Sequence, residues 1–144
     1  MKRHPTQQHP SAVPALGRVM MAILFIFSGI GKVVDPAHTI EEIRAAGLPF
    51  AHLGLAIAIG LGFGGGAMLA LGIRTRMVAT VLALYCVVAG LIFHNPAGGI
   101  PQLVHLIKNF AIAGGLLQVA AFGAGSYALD LRRSMNQRPA GPGG

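Results

Sequence analysis

The chain is short of charge, and above all of acid. Its 144 residues hold four acidic side chains against eleven lysines and arginines, and charged residues make up only 10%. A soluble domain carries about 25%, so a water-facing surface of this size could not be covered. The basic excess is scattered along the chain rather than gathered on one face with aromatics between, which excludes a nucleic-acid surface. There is one cysteine, Cys86. That excludes an internal disulfide and any Cys-x-x-Cys pair that could carry electrons or zinc. It lies in an apolar run and reads as a small buried hydrophobe. No haem-attachment motif and no phosphate-binding loop is present.

What the chain has instead is apolar length. Apolar residues make up 53% and fall in long runs, not in a one-sided helical stripe. The most telling run is 53–73, LGLAIAIGLGFGGGAMLALGI, which holds no charge and ends abruptly in Arg74-Thr75-Arg76. As a helix it is about 31 Å long, enough to cross a bilayer core of about 30 Å. Three more runs qualify, at 15–34, 77–93 and 102–122. The spacing therefore predicts an all-α integral membrane bundle of four spans. The basic start followed by the first run fits an uncleaved span better than a signal peptide, because no small-x-small cleavage site follows.

Between spans the sequence supplies its own punctuation. Residues 1–14 are polar and proline-rich and read as a disordered cytoplasmic tail; 131–144, closing in PAGPGG, read the same way. The segment after the first span holds three of the four acids, Asp35, Glu41 and Glu42. It predicts a short amphipathic helix over 37–46, stopped by Gly47-Leu48-Pro49. Asn95-Pro96 and Gly98-Gly99 predict a sharp turn before the last span. Basic residues cluster at both termini and between spans two and three, so the positive-inside rule puts both termini in the cytoplasm. Arg18 and Lys32, near the two ends of the first span, are placed to snorkel to the headgroups.

Charges inside a bilayer are expensive, about 2.5–3.5 kcal/mol at a helix centre, so polar residues in the spans carry most information. Lys108 lies about 9 Å inside the last span, followed by Asn109 and preceded a turn earlier by His105, so the three share one broad face. By the charge rule this is the outer end of the bundle, where Lys32, Asp35, Glu41, Glu42, His94 and Asn95 also gather. The arrangement predicts a polar pocket opening outward. Its ligand-binding residues are Lys32, His105, Lys108 and Asn109, with Asp35, Glu41 and His94 in support. A purely structural alternative has the lysines pairing with Asp35 or Glu41 to staple the outer loop to the bundle. No nucleophile–base pair is visible, and His94 and His105 form no metal-ligand pattern. Gln118 suits an interhelical hydrogen bond. Two overlapping GxxxG patterns, Gly60/Gly64 and Gly62/Gly66, suit close helix packing within the chain or a seam between copies.

These motifs, taken in order, resemble a family. The first span has Arg18 followed by FIFSGIGKVVDP, the second ends GGGAMLALGIRTR, and the fourth reads LIKNFAIAGGLLQVAAFGAGSYALD. Over 15–130 this is similar to the DoxX family of small bacterial inner-membrane proteins. The resemblance implies a four-helix membrane bundle in the inner membrane. It singles out Arg18, Ser28, Lys32, Arg76, Lys108, Asn109 and Asp130 as motif positions. The family takes its name from a subunit of a thiosulfate:quinone oxidoreductase, and other members are linked to membrane-associated oxidative-stress complexes. The implied role is an accessory or quinone-facing subunit of a membrane oxidoreductase system, with a bound quinone or partner subunits as the electron carriers. A small transporter or channel subunit, a homo-oligomer and a structural partner without chemistry remain as alternatives. One position departs from the family pattern: relatives often carry a glutamate where this chain has Gly62.

Overall fold

The computed structural model describes residues 12–125 and Ala128. Within them the chain is helical, with no strand, and four helical stretches are long and apolar enough to cross a membrane. Asp130 and most of the two expected tails lie outside the described residues. The first span is α1 (Val13–Val34), and Pro14 sits in its first turn, where no backbone donor is needed. A short helix, α2 (Pro36–Ala45), follows at once. The second span comprises α3 (Ala51–Gly60) and α4 (Gly66–Leu71), joined by a π-helical turn, Leu61–Gly65. The third is α5 (Thr75–Phe93) and the fourth α6 (Ile100–Phe122).

Sequence punctuation closes these helices as expected. Asp35 Oδ1 accepts from the His38 backbone N–H at 3.1 Å and so caps α2. Gly47, at φ 74°, ends α2 by donating to the Arg44 carbonyl while Leu48 donates to that of Ile43. This is a Schellman stop. Gly72, at φ 70°, repeats it at the end of α4, with bonds to Leu69 and Met68. Before α6, Asn95 Oδ1 accepts from the Ala97 N–H at 2.9 Å and tightens the turn.

Three expectations are corrected. The second span is not one continuous α-helix, because a π turn interrupts it at the glycine cluster. All four spans begin two residues before the approximate bounds read from the sequence, at Val13, Ala51, Thr75 and Ile100. Arg18 does not snorkel. It is 2% exposed, and its guanidinium donates to the Ala124 carbonyl and, at 3.4 Å, to that of Ala70. Those carbonyls belong to the ends of helices, where backbone acceptors are left over. Arg18 thus ties α1 to the second span and to the segment after α6.

The two GxxxG patterns part company. Gly62 and Gly66 are buried against α1. A Cβ at Gly62 would come within 3.0 Å of both Gly29 Cα and the Phe25 carbonyl, and one at Gly66 within 2.8 Å of Ile26. Gly60 and Gly64 face outward, and a Cβ at either would meet nothing within 4 Å. The in-chain packing reading therefore holds for one pair only.

The helices cross the fold antiparallel. One end of the bundle, the termini end, holds the start of α1, the α4–α5 turn and the end of α6. The other holds α2 and the α5–α6 turn, and is called the α2 end below. The buried core is lopsided. Ala22, Leu69, Val78, Leu82 and Leu116 lie in the half toward the termini end, with Phe25 and Cys86 just past the middle of α1 and α5. There α1 packs on the second span and α5 on α6. Toward the α2 end α5 and α6 stay together, and the space they share with α1, α2 and α3 is the cavity described next.

Candidate functional site

The cavity has a volume of about 980 Å³ and is bounded by α1, α2, α3, α5 and α6. Ligand pockets run about 300–1,000 Å³, so this one is large enough for a substantial small molecule. Its walls are mostly apolar, with Ile23, Phe27, Ile57, Val88 and Ile92 among them. Each of these side chains is exposed, so the cavity is open and not sealed within the bundle. Along α1 it runs from Ile23 to Lys32, about 13 Å by helical rise. Phe25, Ala58, Tyr85, Cys86 and Ile112 line its inner part. Cys86 is 3% exposed, as a small buried hydrophobe should be, and it also borders this space.

Most of the polar side chains sit at the α2 end. Lys32 is half-buried there, and its Nζ donates to Ser28 Oγ at 2.8 Å and to the Ser28 carbonyl at 3.4 Å. The ammonium is folded back along α1 into the cavity lining instead of reaching outward. Glu42, from α2, lines the same space and acts on Lys32 electrostatically. Neither Asp35 nor Glu41, the carboxylates considered from the sequence, lines the cavity: Asp35 caps α2 and Glu41 is exposed. The carboxylate of α2 that borders the cavity is Glu42, next to Thr39 and Ile43; it is exposed at the rim, with Oε1 4.0 Å from His38 Nδ1. Residues three and four apart share a helix face, so 39, 42 and 43 could have been read as the inward stripe. Ile43 fixes this rotation. Its Cδ1 would lie 3.1 Å from a Cβ at Gly54, so the missing side chain on α3 is what seats α2.

The opposite wall comes from α5 and α6. His94, at the end of α5, donates from Nδ1 to Gln102 Oε1 at 3.0 Å. That bond fixes the tautomer, so in the neutral ring Nε2 is left as the acceptor. The His94 ring stacks on His105, with centroids 5.1 Å apart and planes 22° from parallel. Asn109 lines the cavity one turn deeper, and its Nδ2 donates to the His105 carbonyl at 3.1 Å. Gly90 makes room for it: a Cβ there would meet Asn109 Cβ at 3.0 Å.

The structure thus brings Lys32, His94 and Asn109 to one cavity and joins His105 to it through the imidazole stack. It does not bring Lys108. That side chain is exposed on α6 and does not line the cavity. Adjacent residues on a helix are about 100° apart, which is enough to turn Asn109 inward and Lys108 out. Gln118 is likewise exposed instead of bridging helices. Sequence reasoning missed Ser28 as the partner of Lys32, and it missed Thr39, Glu42 and Tyr85 as lining residues.

Four membrane-length helices around a cavity with a polar end define an integral membrane helical bundle. The DoxX profile matches residues 13–95. The chain is 37% identical over 124 residues to the inner membrane protein YqjF of Escherichia coli K12, covering 85% of this chain and 92% of that protein. It is 28% identical over 123 residues to the inner membrane protein YphA of the same organism, covering 81% and 87%. No solved structure matches it. The chain belongs to the DoxX family and is a multi-pass protein of the bacterial inner membrane.

Proposed function

We propose that the cavity receives the headgroup of a membrane quinone and that the protein is a quinone-facing accessory subunit of a membrane oxidoreductase system. The observation that carries this reading is the sorting of the lining: apolar walls along the spans, and hydrogen-bonding side chains gathered at one end. A quinone ring is flat and apolar with two carbonyl acceptors. Lys32 Nζ and the second amide hydrogen of Asn109 are donors for such acceptors, and His94 Nε2 accepts from the hydroxyl of a reduced ring. Glu42 beside Lys32 keeps the site near neutral overall, which suits an uncharged ligand better than an oxyanion. The open side between Phe27 and Ile92 gives an isoprenoid tail its way into the bilayer. Basic residues at the termini and the α4–α5 turn support an orientation with the α2 end, and with it the polar rim, on the outer side of the membrane. With one cysteine and no haem motif, the chain would pass its electrons to a partner.

The test is the lipid content of the protein isolated from native membranes in nanodiscs. Mass spectrometry should find quinone co-purifying with the wild type and depleted in both Lys32→Met and the space-filling Ala89→Phe. Quinone absent from the wild type, or retained equally by both variants, would overturn the proposal.

A further inference from the structure

The four spans are ordered the wrong way round for a protein that meets only lipid. α6 is the least apolar of them and also the least buried in the bundle, while α5 is the most apolar and the most buried. A helix facing acyl chains should be the greasiest, because polar side chains at membrane depth are normally turned inward. Here two of them are turned out. Lys108 and Gln118 are exposed, and neither has a hydrogen bond or ion pair among the described residues. Lys108 lies about 12 Å along α6 from Ile100. Its stem leans toward the near end of the helix but can carry the ammonium only part of the way to the headgroups.

Between these two polar residues the same face is flat. Ala111 and Gly114 are exposed, and a Cβ at Gly114 would meet nothing within 4 Å. Small residues that admit a neighbouring backbone, flanked by side chains that can bond across, are how membrane helices associate. We propose that this face of α6 docks a transmembrane helix of a different protein, one that presents a carboxylate at the depth of Lys108. The charge argues for the carboxylate. It also argues against a second copy: a two-fold axis along the membrane normal would set Lys108 at the level of its own equivalent. Moreover, this chain has no acid within a span, its four being Asp35, Glu41, Glu42 and Asp130. The proposal rests on the reading of the chain as a subunit, but not on the occupant of its cavity.

Photocrosslinking in native membranes tests it, with the reactive residue at Ala111 of the full chain and a control at Leu84, exposed on α5. The expected product at Ala111 is an adduct with one other membrane protein, whose crosslinked peptide is a span containing Asp or Glu. Its yield should fall about tenfold with Lys108→Glu, where attraction becomes repulsion, and persist with Lys108→Arg. Gly114→Leu, which adds bulk only to the open face, should abolish it while the variant still accumulates in the membrane. An adduct of two copies of this chain, adducts to lipid alone, an equal yield at Leu84, or a yield indifferent to Lys108→Glu and Gly114→Leu would each overturn the proposal. Quinone content in the same preparations reads the cavity separately.

Discussion

Replacing Gly62 with alanine tests whether the centre of the bundle is held by backbone-to-backbone contact. The new methyl would meet Gly29 Cα and the Phe25 carbonyl at 3.0 Å and the Gly29 nitrogen at 3.2 Å. Ordinary contact begins near 3.4 Å. All three atoms are backbone, so relief requires α1 to move as a body by a few tenths of an ångström. Overpacking of this kind costs about 1–3 kcal/mol. Against it stands the gain from exchanging glycine for alanine in a helix, about 1 kcal/mol. Gly60→Ala separates the two effects, because it earns the same helical gain with nothing within 4 Å. Gly60→Ala should therefore be neutral to stabilising, and Gly62→Ala less stable than it by about 1–3 kcal/mol. Reversible unfolding of both in bicelles, by denaturing detergent or steric trapping, gives the difference directly. A Gly62→Ala protein as stable as Gly60→Ala would refute the packing argument.

Three further outcomes follow from the same geometry. Arg18→Met should cost about 2–4 kcal/mol, because buried hydrogen bonds from a charged donor are worth about 1.5–3 kcal/mol each and one of these is long; Arg18→Lys, with a single ammonium for separated carbonyls, should recover little of it in the same unfolding assay. Phe50 is 79% exposed and held at φ 58°, where bulky side chains are strained, so Phe50→Gly should stabilise the protein by about 1 kcal/mol. Gln102→Leu should release the His94 ring, seen by nitrogen NMR as a shift from one dominant neutral tautomer to a mixture.

The fold was legible because the bilayer imposes a length on every span and the chain marks the ends with glycine, proline and charge. The runs at 15–34, 53–73, 77–93 and 102–122 match α1, α3 with α4, α5 and α6 to within a few residues. The π turn was not legible, since a glycine cluster suits tight packing whether or not the helix widens there. Arg18 was misread for a related reason: its guanidinium donates to the backbone carbonyls of Ala70 and Ala124, among others, and backbone acceptors leave no mark in a sequence. At the cavity, spacing identified the polar residues of the α2 end but not which of them turn inward. Lys108 and Asn109 are neighbours with opposite fates, decided by how α6 is rotated against α5 at Gly90. Glu42 is preferred over Glu41 by the seating of Ile43 on Gly54, a contact between segments that sequence periodicity cannot place.

The central claim is that Lys32, and not Lys108, serves the ligand. Titration of a short-tailed quinone into the purified protein in nanodiscs, followed by calorimetry, sets the two lysines against each other. Loss of a charged hydrogen-bond donor is worth about 1.5–3 kcal/mol, so Lys32→Met should weaken binding by about ten- to a hundredfold, and Lys108→Met should leave it unchanged. Equal affinity for wild type and Lys32→Met, or a loss confined to Lys108→Met, would contradict the account.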